Sequence, residues 1–269
     1  MIISKGEILH GRFGVAYRVY GTAAQTMVCV SGVQQTMAVW RSLIAYFSRQ
    51  YSIVIFDMPG VGRSRMLTGA LEASIDEQVE LLDRVIGETR RPGPLTLVGC
   101  SWGTMVVAAY AARYPSAVDK LVLASFGVKP SKRMLELIRD GQALYERGEN
   151  GKAAELIIAG FGQNISNTYK RQIVEQFRRM TPDQARTFYN HCEFVERVHD
   201  IAEYVALDRI TAPTLIINGA NDEILDLEDL ETATARIPNC QTRVVEDVGH
   251  FLHFERPEIL GIYAEFLSQ

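Results

Sequence analysis

The 269-residue sequence contains no run of 18 consecutive apolar residues, so nothing in it reads as a membrane-spanning helix. Its first twenty residues, MIISKGEILHGRFGVAYRVY, carry Lys5, Glu7 and Arg12 and no long apolar stretch, so no signal peptide and a cytoplasmic location are expected. Cysteine is scarce. Cys29, Cys100, Cys192 and Cys240 lie far apart, without a Cys-x-x-Cys pair or a Cys/His ligand spacing, which leaves buried thiols as the expectation and no metal or other cofactor. An excess of basic charge is missing too: 28 Lys and Arg against 32 Asp and Glu give a formal net charge of -4, hence no general attraction to nucleic acid. There are no internal repeats or low-complexity tracts. Hydrophobic residues make up 47% of the chain, enough at this length for one large α/β domain or a domain with an insertion.

Along the chain, strand and helix patterns alternate. GVAYRVYG (14 to 21) alternates with period two, TMVCVSG (26 to 32) is a short apolar run, and YSIVIFDMPGVGRS (51 to 64) is a buried strand ending in a glycine-rich loop. In IDEQVELLDRVIGET (75 to 89), Val79, Leu82, Val85 and Ile86 share one helical face. Strands are expected again at VDKLVLASFG (118 to 127), APTLIINGANDE (212 to 223) and CQTRVVEDVGH (240 to 250), the last two separated by a helical LEDLETATARI. This order implies a mostly parallel twisted sheet with helices on both faces. One block breaks the rhythm. Residues 128–207 show only helical patterns, RMLELIRDGQALYERG, GKAAELIIAGFG, TYKRQIVEQFRRM and TPDQARTFYNHCEFVERVHDIAEYV, and are expected to form a helical lid inserted into a core of residues 1–127 and 208–269. Met134, Leu135, Ile138, Phe188, Phe194 and Val195 fit lid core, with a minority facing an apolar pocket.

The stretch TLVGCSWGTMVVAAYAARYP (96 to 115) carries the chemistry. A strand ending near Val98 and a helix starting near Thr104 leave Gly99-Cys100-Ser101-Trp102-Gly103 as the turn between them, a G-x-S-x-G elbow. Such a turn strains its central residue and needs small neighbours where the two elements touch. It presents the serine hydroxyl at the C-terminal edge of the sheet, close to a helix N-terminus where negative charge is favoured. Cys100, one step from the sharp point, is expected to be structural.

A serine hydroxyl needs a histidine to take its proton and a carboxylate to orient that histidine. Asp222 follows one late strand and His250 the next, in the chain order Ser, Asp, His, and both loops leave the edge that carries Ser101. Glu223 competes with Asp222 as the acid, and His253 with His250 as the base; His253 is expected to serve packing or support. His10 and His199 lie away from the strand ends, whereas His191 belongs to a lid helix and either faces solvent or sits over the pocket.

With the elbow, NGANDE and DVGHFL, the chain resembles the α/β-hydrolase fold over nearly its full length. SIVIFDMPGVGRSR, the Ser-Trp-Gly elbow, GHFLHFE and a lid carrying YNHCEFV resemble more narrowly the bacterial group of 3-(3-hydroxyalkanoyloxy)alkanoate synthases and 3-hydroxyacyl-carrier-protein:CoA transacylases. The resemblance implies acyl transfer or hydrolysis on a medium-chain 3-hydroxyacyl thioester or ester, with Ser101, Asp222 and His250 as triad and the amides of Val33 and Trp102 as oxyanion donors. Ser31-Gly32-Val33 departs from the His-Gly of the fold and the Asn-Gly of the narrower group, and Cys100 and Gly103-Thr104 depart from the latter's elbow. Phe194 and His191 are expected at the acyl pocket. The resemblance implies delivery of a small-molecule acyl substrate by an acyl-carrier protein or coenzyme A; Arg63 and Arg65, and Lys129, Lys132 and Arg133, either offer basic charge for docking it or are ordinary solvating charges. A small-ester carboxylesterase or lactonase, and a binding module that retains the fold without the chemistry, are the other readings.

Overall fold

The computed structural model describes residues 1–269 except Ala70, Gln163 and Glu228, with Asp229 described by its backbone alone. Among the described residues nine strands form one sheet: β1 (Ile2–His10), β2 (Phe13–Tyr20), β3 (Thr26–Val30), β4 (Ser52–Phe56), β5 (Arg65–Met66), β6 (Leu95–Cys100), β7 (Lys120–Ala124), β8 (Thr214–Gly219) and β9 (Cys240–Val245). Their order is β1-β2-β4-β3-β6-β7-β8-β9, with β5 paired to β2. The pairs from β4–β3 through β8–β9 are all parallel, and β2 joins antiparallel to β4. The expected mostly parallel sheet is therefore the one observed.

Side-chain alternation explains why β3, β4 and β6 are apolar throughout rather than every second residue. Val28, Val54 and Leu97 face one layer of helices, α2 (Ile75–Thr89), α3 (Trp102–Arg113) and α8 (Asp229–Arg236). Met27, Ile53 and Val98 face the other, α1 (Arg41–Phe47) and α9 (Ile259–Leu267). Strands covered on both sides bury both of their faces. Helix α2 spans the residues that its periodicity predicts. Its Ser74 and Glu77 form a reciprocal capping box, and Val79, Leu82, Val85 and Ile86 are buried.

The edge strand β1 has no counterpart in the sequence reading. Only Ile8 in it is buried, so neither face imposes an apolar alternation that a pattern search could find.

Between β7 and β8 the described residues form α4 (Lys132–Glu146), α5 (Asn150–Phe161), α6 (Asn167–Arg178) and α7 (Pro182–Glu196), with no strand among them. The long helical pattern expected over 181–205 ends at Glu196. A 3-10 turn at Ile201–Glu203 replaces its tail, because the Asp200 carboxylate accepts from the Ala202 amide at 2.7 Å and pairs with Arg236 at 2.8 Å. No described helix is long and apolar enough to cross a membrane.

Candidate active site

Ser101 occupies the turn between β6 and α3 with φ 50° and ψ -124°, outside the conformations an ordinary residue prefers. The strain is held by close packing. A Cβ on Gly103 would meet the Val30 carbonyl oxygen at 2.1 Å and one on Gly99 the Gly103 oxygen at 2.6 Å, so both positions require glycine. The Ser101 amide donates to the Ala124 carbonyl at 2.8 Å, which ties the elbow to β7. Although Ser101 is the cap residue of α3, its side chain makes no capping bond. Its Oγ lies 2.9 Å from His250 Nε2, and His250 Nδ1 lies 2.7 Å from Asp222 Oδ2. Directing the Nδ1 proton at Asp222 leaves Nε2 to accept from the serine.

Four groups that the sequence reading passed over hold this line. The Asn218 side chain exchanges both of its hydrogen bonds with the backbone of Phe126, at 3.0 and 2.9 Å, and clamps the ends of β7 and β8. Ser125 Oγ donates to the His250 carbonyl at 2.6 Å. Glu255 accepts from the amides on either side of the histidine, Gly249 at 2.7 Å and Phe251 at 3.0 Å. Gln35 Oε1 accepts from the Gly32 amide at 3.0 Å and from the Cys100 thiol at 3.2 Å. Burial pushes that thiol up to about 12, so Cys100 is inert, as expected. Glu255 was legible as a residue of GHFLHFE, but its partners are backbone amides, which leave no mark on sequence.

Asp222, rather than Glu223, faces His250; Glu223 is exposed. His253 is buried against Trp40, with ring centroids 5.7 Å apart, and burial lowers its pKa to about 4. Ser31, the departure from the family pattern, is fully buried and accepts from the Trp40 indole at 2.8 Å. Position 31 thus anchors Trp40 beneath the loop carrying Val33. Asp57 is similarly occupied, accepting from the amides of Met37 at 2.6 Å and Arg63 at 2.9 Å.

Ser101 and His250 open into a cavity of about 150 Å³ whose walls come from the helical insertion: Leu137 and Ile138 of α4, Ile158 and Phe161 of α5, Ile173 and Phe177 of α6, Cys192 and Val195 of α7. Val33 lines it as well. A second cavity of about 280 Å³ lies beside it, bounded by Met58, Met66, Trp102, Phe194 and Tyr204. Val33, Gln34, Phe188 and His191 line both. The His191 ring stands edge-on to Trp102, centroids 4.1 Å apart, and burial pushes its pKa down to about 3, so it is neutral near pH 7. His191 is thus over the pocket and not a solvent-facing helical histidine.

The remaining expected site residues lie outside the lining of the serine cavity. Phe194 lines the neighbouring cavity and contacts Trp102 and Tyr204, because α7 turns its Cys192 and Val195 toward the serine instead. Arg63, Arg65, Lys132 and Arg133 line neither cavity; Arg65 pairs with Glu7 at 2.7 Å and Arg133 with Glu136 at 3.5 Å. Among the described residues no cluster of three or more metal-ligating side chains occurs.

Comparison with known proteins places this geometry in context. The chain is 29% identical over 252 residues to monoacylglycerol lipase ABHD6 of Homo sapiens, covering 86% of this chain and 72% of that one. It is 24% identical over 253 residues to the (R)-3-hydroxydecanoyl-ACP:CoA transacylase of Pseudomonas putida, covering 89% and 82%. Among solved structures it is similar to MGS-M2, an alpha/beta hydrolase enzyme from a Medee basin deep-sea metagenome library, with a TM-score of 0.82, 20% identity and 98% of each chain covered. The family model for the alpha/beta hydrolase fold matches residues 25–257, and the chain belongs to that family.

Proposed function

We propose that the protein is a serine-dependent acyl-transfer enzyme acting on medium-length acyl esters or thioesters. The observation that carries this reading is the Ser101–His250–Asp222 line, with contacts of 2.9 and 2.7 Å, opening into an apolar cavity. In the first step Ser101 Oγ attacks the acyl carbonyl carbon as His250 Nε2 takes its proton. Asp222 stabilises the imidazolium without accepting the proton itself. The carbonyl oxygen becomes an oxyanion, for which the amides of Val33 and Trp102 are the donors, Trp102 adding the positive end of α3. Collapse expels the alcohol or thiol, which takes the proton from His250. A water, alcohol or thiol then repeats the sequence on the acyl-enzyme and frees Ser101.

The cavity supports an acyl chain rather than a polar group. Its aliphatic and aromatic walls give up to about 0.8 kcal/mol for each methylene taken from water. A 3-hydroxyacyl group is the finer form of this proposal. The transacylase relatives support it by name, and His191 offers a neutral imidazole between the two cavities that can hydrogen-bond a hydroxyl. Delivery by an acyl-carrier protein or coenzyme A rests on the same relatives, and a cytoplasmic location is part of the proposal. The helical insertion, residues 128–207, acts in this reading as the lid that encloses the chain.

A series of p-nitrophenyl esters from acetate to dodecanoate tests the reading. kcat/KM is expected to rise with chain length to an optimum, and Phe177→Ala to lower it several-fold for decanoate while leaving acetate within about twofold. A flat series would refute the acyl cavity. In parallel, a carrier-protein or CoA thioester is expected to be used faster than the free ester of the same chain; equal rates would remove the carrier.

A further inference from the structure

The Val33 amide sits in a turn that the core does not secure alone. The turn is closed by the Gln35 amide donating to the Gly32 carbonyl at 3.2 Å, and its third residue, Gln34, has φ 57°, a left-handed conformation that a glutamine adopts only under constraint. The constraint comes from the insertion. Gln176 Nε2, on α6, donates to the Gln34 carbonyl at 2.7 Å across 142 residues of sequence. The same helix places Ile173 and Phe177 in the wall of the serine cavity. Two further side-chain tethers from these helices or their caps to the core end elsewhere: Asn190 Nδ2 donates to the Leu71 carbonyl and Ser131 Oγ to the Glu223 carbonyl, both at 3.2 Å.

We propose that Gln176 is a positioning residue that couples the seating of α6 over a bound acyl chain to the aim of the Val33 oxyanion donor. A chain pressing on Ile173 and Phe177 fixes α6, and Gln176 passes that order to the Gln34 carbonyl. With the carbonyl released, the turn relaxes from its left-handed residue and the Val33 amide loses its fixed direction. Chain length then acts on the chemical step as well as on binding. The inference rests on Ser101 being the nucleophile and Val33 an oxyanion donor.

The test is inactivation of the full-length protein by two fluorophosphonates, one with a methyl and one with a decyl chain. The adduct is located by peptide mass mapping, and the limiting rate kinact is separated from the binding constant KI. In the wild type the decyl probe is expected to give a kinact several-fold above that of the methyl probe, with label on Ser101. Gln176→Met keeps the side-chain length without a donor. It is expected to remove that advantage, lowering kinact for the decyl probe by about tenfold with KI within about twofold, a fraction of the loss that follows deletion of an oxyanion donor. Gln176→Glu, which sets an anion against the carbonyl, is expected to lower it further. Asn190→Leu loosens the insertion without touching the turn, and its kinact is expected to match the wild type. Unchanged kinact in both Gln176 variants overturns the coupling and leaves the nucleophile standing, as does an equal loss in Asn190→Leu. Failure of the wild type to label Ser101 overturns the nucleophile reading itself, and the coupling with it.

Discussion

The sheet and the helical insertion spend their apolar residues differently. In β3, β4, β6 and β8 every residue is buried, whereas α6 buries only Phe177 and α4 only Leu137, Ile138 and Gly141. Ile138, Cys192 and Val195 form a small cluster of their own in the insertion, apart from the two layers of the core. Many of its other apolar groups, Ile158, Phe161 and Ile173 among them, line the space above Ser101. The chemistry needs atoms fixed to a fraction of an ångström, and the sheet supplies that through clamps such as Asn218 and Glu255. In the proposed function substrate accommodation needs a surface that can adjust, which loosely buried helices would supply.

Substitutions at the serine should break the comparison most severely. Ser101→Ala is expected to lower kcat by about 10⁴-fold or more without changing the melting temperature, since the methyl side chain loses only the nucleophile. Asp222→Asn is expected to cost more than about tenfold and less than the serine change, and Glu223→Gln almost nothing. A larger effect at Glu223 would reassign the acid.

A pair of glycines sharpens the contrast between regions. Gly103→Ala would drive a Cβ against the Val30 oxygen at 2.1 Å and is expected to destabilise the fold by about 3 kcal/mol in urea unfolding. Gly141→Ala in α4 meets nothing within 4 Å and is expected to stabilise by about 0.5–1 kcal/mol through helix propensity. Because Gly141 lines the serine cavity, the same methyl should also disfavour the longest acyl chains. Equal destabilisation by the two changes would show the insertion to be packed as tightly as the sheet.

Stability is also expected to depend on pH. Burial holds His253 neutral with a pKa of about 4, against 6.5 for a free imidazole. Between those values the unfolded chain binds a proton that the native chain does not, so stability falls as pH falls from 6.5 toward 4. The slope is about 1.4 kcal/mol per pH unit, or about 2 kcal/mol from pH 7 to pH 5. His191, lowered to about 3, acts in the same direction. His253→Leu should flatten the urea-midpoint profile over this range; an unchanged slope would show that His253 is not the group responsible.

The elbow and the Ser101–His250–Asp222 line were legible in the sequence because each rests on a residue type with a local requirement. Ser101 needs Gly99 and Gly103 beside it, while Asp222 and His250 must follow strand ends, and both demands leave fixed spacing. Side-chain destinations that depend on tertiary partners were not legible. Phe194 and Val195 are neighbours on α7, yet the first faces Tyr204 and the second the serine cavity, a difference of helix rotation that no propensity encodes. Arg65 pairs with Glu7, 58 residues away on an edge strand that itself carried no pattern. Gln176, Gln35 and Glu255 act on backbone groups, which every residue type carries alike.

If Ser101 carries the acyl group within the cavity, a peptide mass map of the protein quenched in acid during turnover of p-nitrophenyl decanoate shows it directly. A decanoyl adduct on the peptide containing Ser101, absent from Ser101→Ala, is the predicted result. Turnover with no adduct on that peptide, or an adduct on another residue that persists in Ser101→Ala, would contradict it.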